Sequence, residues 1–388
     1  MNWPLAIPNF TLADKLKIGL WLLRGKQWTQ GPAVRAYEKT WEAYTGAKHA
    51  IMVANGSVAN ELLARRRRDE LSALGRWPRD NKVIFPACTW VSSVSPWLWE
   101  GFSPVWCDIS ANLCAPLDGI VKQLQLTQAK TVFYTTLLGQ TDDLVALRSV
   151  CEHHGAKLMV DNCESCFSHT PCGFGHEEQH VCAVAPSSTS FYFSHPATTG
   201  TEGGMIFCQE DADDDWFRMM RSHGMTRGMP AIYRNPDAHP SFDFHLPGSN
   251  FRSSDLQAYM GSLTFERTLT FAAERIKLAA LFYKSLDRHL YCDPTQGRCT
   301  NPMMALPILP NPTNRESGAA VKTVLDRLKI EYRPIVGGNL LRHTAFKQYG
   351  EAARYPRAQH LHDHGVYVGL HEMVSEEMIL ELAAELNK

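Results

Sequence analysis

The chain predicts an α/β fold, with a large domain built on a mainly parallel sheet between helices and a smaller C-terminal α/β domain. Three observations predict it. From His49 to Asp161, short apolar runs alternate with stretches of helical spacing, as in parallel strands joined by crossover helices. Two apolar runs lead into chemically capable residues, Asp161 and His195, and ligands bind at the carboxyl ends of strands in open α/β sheets. At 388 residues the chain is long for a single core, so a second, smaller unit is expected. The divisions we expect are an N-terminal segment over 1–30, a large domain over 31–290 and a small domain over 291–388.

Composition narrows the function. The net charge is −1, which gives no electrostatic case for nucleic acid or an anionic membrane. Arg65-Arg-Arg-Arg68 is the only basic cluster; it falls in a helix-like stretch and reads as a solvated helix face or a subunit contact. Eleven scattered cysteines and no secretory pattern predict a reducing cytoplasm. Cys163-x-x-Cys166 invites a metal or redox reading, but no second close pair matches it, although Cys172 and Cys182 follow at loose spacing, so no metal is expected. No apolar run is long enough to span a bilayer. The amphipathic stretch Leu12 to Leu23 reads as a helix packed on the body.

In order along the chain, Trp28-Thr-Gln-Gly-Pro32 leads into a helix from about Val34 to Tyr44. A strand follows over His49 to Ala54, then Asn55-Gly56-Ser57 and a helix to about Leu74. Strand, tight turn and helix start together make an anion site, because backbone N–H groups and the helix dipole face the anion. An N-cap by Ser57 is the plainer alternative. Further strands are expected over Lys82 to Phe85, Pro104 to Asp108, Thr131 to Leu137 and Lys157 to Asp161, with a helix over Asp142 to His154. An aromatic strand, Thr189 to Phe193, leads to His195; Pro196 disfavours helix at the residue before it, so His195 is expected extended at the strand mouth. Met205 to Cys208 is a strand, Trp216 to Arg221 a helix and Pro230 to Pro247 a loop; Ser253 or Ser254 caps a long helix. The final helix is expected over Ser375 to Leu386.

The segment Ser190-Phe-Tyr-Phe-Ser-His195-Pro-Ala-Thr-Thr-Gly-Thr-Glu-Gly-Gly204 resembles the Ser-x-x-x-x-Lys…Glu-Gly-Gly segment of the DegT/DnrJ/EryC1/StrS family, the sugar enzymes of pyridoxal-phosphate fold type I. Where that family carries its cofactor-binding lysine, this chain has His195, a replacement made by the family's sugar 3-dehydratase branch. Other segments are similar in order and spacing, from Gly31 to His371. They include Met-Val-Asp161-Asn-Cys-Glu164, Gly248-Ser-Asn250-Phe-Arg252 with Gln257-Ala258, and Arg333-Pro-Ile-Val-Gly-Gly338-Asn339 followed by Val368-Gly-Leu-His371.

The resemblance implies a cofactor and a set of roles. Pyridoxal 5′-phosphate and its pyridoxamine form would be held by Gly56, Ser57 and Ser190 at the phosphate, with Asn250 arriving from the partner of a homodimer with shared active sites. Asp161 would meet the pyridine nitrogen, Glu164 the phenolic oxygen, and Trp90 would stack on the ring. Arg333 and Asn339 would touch substrate. A lysine amine is needed to shuttle an amino group, and no lysine lies between Lys157 and Lys277. Histidine suits proton transfer instead. The implied activity is 3-dehydration of a nucleotide-linked 4-keto-6-deoxyhexose, with His195 as acid and base and glutamate as amino donor. A reductase-dependent dehydratase and a catalytically silent binding relative are the alternatives. Val58, where the dehydratases tend to have a second serine, and Pro196, where a polar residue is expected, depart from the branch pattern.

Overall fold

In the computed structural model, which describes residues 2–7, 10–25, 27–170, 178–297, 299–313 and 317–388, the apolar runs become strands. They are β1 (His49–Val53), β2 (Lys82–Pro86), β3 (Ser103–Cys107), β4 (Thr131–Thr135) and β5 (Lys157–Asp161). After a two-residue ribbon, β6 (His169–Thr170) with β7 (Gln179–His180), come β8 (Ser187–Ser190) and β9 (Gly204–Cys208). The sheet order is β1-β9-β8-β5-β4-β2-β3, and only β9 runs against its neighbours. Because both faces are covered, β4 and β8 are buried along their whole length, although β8 is built of Ser and Thr. Val132, Tyr134, Leu158 and Val160 enter one core, while Phe133 and Met159 alternate into the other. Cys172 lies outside the described residues.

Helix Pro32–Thr45 packs on the β1–β9 edge, where Trp41 is fully buried and stacks on Phe167 at 5.8 Å. Its start is held from afar: Asp255 accepts hydrogen bonds from the N–H groups of Gly31 (2.6 Å) and Ala33 (2.9 Å). Farther along this helix, buried Glu38 pairs with Arg221 at 2.6 Å and Arg218 at 3.0 Å. The arginine run is neither a free solvated face nor a loose basic patch. Arg65 pairs with Glu61 and Glu100, Arg66 with Asp213, Arg67 with Glu70 and Arg68 with Glu100. The charges are neutralised by Glu61 and Glu70 of the same helix and by Glu100 and Asp213, which approach from other elements.

The C-terminal unit holds an antiparallel sheet of β10 (Ala305–Ile308), β11 (Tyr332–Pro334) and β12 (Val366–Gly369), in the order β10-β12-β11. Its core takes Ile379 and Leu382 from helix Glu376–Leu386, and Leu278 and Phe282 from the far end of the long helix Asp255–Ser285. Trp3 is fully buried in this same core, although it belongs to the opposite end of the chain. Helix Leu12–Arg24 is capped by Thr11 and docks through Asp14 and Arg267, 3.0 Å apart. Among the described residues no helix is long and apolar enough to cross a membrane.

One expected strand is shorter than its sequence suggests. β8 stops at Ser190, which pairs with Gly204, the first residue of β9. Beyond that point Phe191 N–H still donates to Gly203 C=O at 2.8 Å, but its own C=O accepts from Thr199 N–H at 3.1 Å within the following loop, and the Phe191 ring packs in the aromatic core against Trp41 and Tyr37. His195 consequently sits in a turn, its N–H donating to Tyr192 C=O at 3.0 Å, and not on an extended strand end.

Candidate active site

Three strands end side by side. Gly204 pairs with both Val53 and Ser190, and Asp161 lies opposite Ser188, so the carboxyl ends of β1, β8 and β5 share one edge of the sheet. The helix Gly56–Ala73 starts at that edge. Its N-cap is Asn55, whose side chain accepts from Val58 N–H at 2.9 Å; Ser57 is exposed on the first turn and does not cap. The cap leaves the first-turn N–H groups of Gly56 and Ser57 facing outward, as helix starts do. Gly56 is pressed against the ends of two other strands: a Cβ there would lie 2.8 Å from both Cys163 Sγ and Ser190 Cβ. A side chain at 56 would therefore push the helix start away from Ser190.

Asp161 is buried, and its Oδ2 accepts from Asn60 Nδ2 at 2.8 Å and Ser93 Oγ at 2.6 Å. Its Oδ1 accepts from the Cys163 N–H at 3.0 Å. Behind these donors, Ser188 Oγ donates to Asn60 Oδ1 at 2.6 Å, and Thr89 Oγ1 lies 2.9 Å from Ser93 and 2.8 Å from Thr135. Among the described residues no lysine or arginine pairs with Asp161. A buried carboxylate fixed by neutral donors is expensive unless a cation completes it, and a protonated ring nitrogen would be such a cation.

Two groups beside Asp161 have shifted protonation. Burial pushes Glu164 up to about 8; the Leu138 N–H, 3.1 Å from Oε2, only partly offsets this, and Asp161's negative charge adds to it. A carboxyl held protonated near neutral pH can donate a hydrogen bond. Burial also lowers His195 below its ordinary 6.5, with the Ser190 carbonyl, the charge of Asp161 and the Cys163 backbone pulling the other way. Its Nδ1 lies 3.4 Å from Ser190 C=O, a contact that favours the tautomer protonated at Nδ1.

The remaining expected residues are dispersed. Trp90 is half-exposed at the start of the turn Val91–Ser93, the same turn that delivers Ser93 to Asp161. Asn250 is exposed, with its Oδ1 accepting from Arg252 Nε at 2.9 Å. Its segment nevertheless runs beside the site, because Phe251 C=O accepts from Ala54 N–H at 3.0 Å. Arg333 is exposed on β11 opposite Tyr367, and Tyr367 feels the charges of both Glu164 and Arg333. Asn339 corrects the expectation of a substrate contact. It is fully buried, donates to Ala352 C=O at 3.1 Å and accepts from Leu341 N–H at 3.1 Å, so both ends of its amide serve the fold. Cys163 lies beneath Gly56, while Cys166 belongs to the aromatic core around Trp41.

Sequence reasoning missed Asn60, Ser93, Ser188 and Thr89, the donors that hold Asp161. Asn60 alone carried a signal: an asparagine inside a helix, one turn after Gly56, where its propensity is poor.

This arrangement has known counterparts. The chain is 27% identical to the GDP-4-keto-6-deoxy-D-mannose 3-dehydratase of Yersinia pseudotuberculosis, covering 100% of this chain and 99% of the other. It is 26% identical to the protein of the same name from Escherichia coli O55:H7, with 96% of each covered. A solved structure of the E. coli GDP-4-keto-6-deoxy-D-mannose-3-dehydratase with bound hydrated PLP superposes at a TM-score of 0.84, with 24% identity, covering 100% of this chain and 99% of that one. Another, of GDP-4-keto-6-deoxymannose-3-dehydratase with a trapped PLP-glutamate geminal diamine, gives 0.85 at 24% identity, covering 99% and 100%. The model of the DegT/DnrJ/EryC1/StrS aminotransferase family matches residues 13–387, and the chain belongs to that family.

Proposed function

We propose that this family member is a dehydratase that uses pyridoxamine phosphate to remove the C3 hydroxyl of a nucleotide-linked 4-keto-6-deoxyhexose, leaving a 3,6-dideoxy-4-keto sugar. The observation that carries the reading is His195. It occupies the family's lysine position, in a chain with no lysine between Lys157 and Lys277, beside a cofactor cradle whose other parts are present. GDP is the nucleotide we propose, since the two most similar relatives described above are named for GDP sugars.

The residues fit the cofactor. The Asn55-capped helix start at Gly56 and Ser57, with Ser190 pressed against it, suits a phosphate. Asp161 suits the protonated ring nitrogen, protonated Glu164 the phenolic oxygen, and the half-exposed face of Trp90 the ring itself. Bound there, the group supplies an electron sink next to the sugar ketone. Asp161 keeps that sink electron-poor. With the group bound, neutral His195 would take a proton from its C4′ carbon and return it to the departing C3 hydroxyl, which would leave as water. Acid–base help of this kind contributes roughly a hundred- to ten-thousand-fold. Glutamate would restore the amine form, consistent with the relative trapped with it. Arg333, exposed opposite Tyr367 on β12, would meet the substrate.

Mass spectrometry of GDP-4-keto-6-deoxymannose after incubation with protein, pyridoxal phosphate and glutamate tests this. Loss of one oxygen from the sugar, with glutamate consumed and no reductase present, is expected. Replacement of the ketone by an amine would refute the role given to His195, and no turnover in the absence of a reductase would move the reading to the reductase-dependent or silent alternatives.

A further inference from the structure

His195 also lines a second cavity, of about 30 Å³, to which none of Gly56, Asp161, Glu164 and Ser190 contributes. Its other walls include Leu5–Ile7 from the chain start, Arg275 from the long helix, and His371 and Glu372. That volume is about the share of one water molecule, so Leu5–Ile7 leave little room for solvent on this side of the ring. The segment is tied down on the C-terminal sheet. Trp3, fully buried, donates from Nε1 to Gly369 C=O at 2.8 Å, and its own C=O accepts from Glu331 N–H at 2.9 Å. His371 Nε2 donates to Pro4 C=O at 2.7 Å, and Leu5 N–H donates to Glu331 Oε2 at 2.9 Å. Gly369 has no room for a Cβ against Leu5 C=O. At its other end the segment reaches the loop that carries His195, where the Phe10 ring lies against Gly200. Arg275 is buried and donates to Met303 C=O (3.0 Å) and Met304 C=O (2.8 Å), which fixes the opposite wall.

We infer that Trp3 and His371 are positioning residues for His195: they hold Leu5–Ile7 as a strap across the back of the histidine's pocket and keep bulk water from its ring. This rests on His195 being the acid–base group. A proton taken from carbon in a water-poor pocket returns to the departing hydroxyl before solvent can exchange it. The titratable groups facing the ring are Asp161 on the cofactor side, Tyr192 at its edge, and Arg275, His371 and Glu372 across the cavity.

The test is an NMR titration of His195 in the cofactor-free protein, its signal assigned by difference from His195→Gln, in wild type, Trp3→Ala and His371→Leu. In both strap variants His195 is expected to titrate at higher pH, toward 6.5, because opening relieves the burial that depresses it. Amides of Leu5–Ile7 should exchange faster, and kcat should fall with KM little changed. Trp3→Phe, which keeps the ring and loses the N–H, should fall between. An unmoved His195 titration in a variant whose strap amides exchange freely overturns the inference. A moved titration with unchanged turnover leaves the strap standing and sinks the acid–base role of His195. If Trp3→Ala does not fold, His371→Leu carries the test, since it leaves the Trp3 core intact.

Discussion

At the scale of residues, the site separates one sheet edge into different electrostatic environments. Asp161 is surrounded by donors; Glu164, close by, has one backbone N–H and mostly apolar walls; His195 loses solvent and keeps a carbonyl. The bell-shaped pH dependence of kcat/KM should reflect this. Its acid limb is expected below 6.5, because burial keeps His195 neutral and basic there, and its alkaline limb near 8, where Glu164 gives up the proton with which it donates. The sign for stability follows from the same shift. Glu164 binds its proton more tightly folded than unfolded, so between 4.5 and about 8 it makes the cofactor-free protein less stable as pH rises. Glu164→Gln should remove that slope, so its thermal midpoint gains on wild type from pH 5 to pH 8. An equal difference at both ends would show that Glu164 ionises as an ordinary carboxylate.

At the scale of elements, the cradle depends on close approach between a helix start and strand ends. Gly56 is the contact point, with room for hydrogen only between it and both Cys163 and Ser190. Gly56→Ala is expected to weaken pyridoxamine phosphate binding at least tenfold, measured by fluorescence titration, while far-UV circular dichroism stays unchanged. The helix itself should tolerate alanine, which has the better helical propensity. Binding at wild-type strength would mean that the phosphate sits elsewhere. Asn55 caps the helix in place of Ser57, which frees the Ser57 hydroxyl for a ligand.

At the scale of the whole molecule, the C-terminal unit is joined to the sheet edge at several points. Leu340 N–H donates to Ala87 C=O, Trp3 enters the C-terminal core, and Arg333 and Glu164 meet across Tyr367. Asn250 is exposed beside the end of β1, where Arg252 bridges to Val53, and in the expected homodimer it would serve the neighbouring subunit's site. Mixing inactive His195→Asn with inactive Asn250→Ala protein, under conditions that exchange subunits, should restore activity, since one site of a mixed dimer then holds neither lesion. No recovery despite exchange, verified by native mass spectrometry, would place Asn250 in its own chain's site or outside any site.

Much of this protein was legible in one dimension. The strands β2 to β5 show as apolar runs because both faces of a parallel sheet are buried. Asp161 and His195 stood out because a polar group after such a run has few structural reasons to be there. The order and spacing of the motifs pointed to the family, and so to the cofactor. What only the tertiary structure decided depended on contacts between distant segments. Asn60 and Ser93 are ordinary polar residues until the fold brings them from two elements to one carboxylate, with Ser188 behind Asn60. Asn339 looked like a ligand-binding residue and proved to be a strut, because burial is a property of its neighbours. The strand before His195 ended early because the Phe191 carbonyl is taken by Thr199 N–H, a contact that forms only once the loop closes. Trp3 could be placed in the far core only by folding, since hydrophobic burial is indifferent to sequence distance while local patterning is all that a sequence displays.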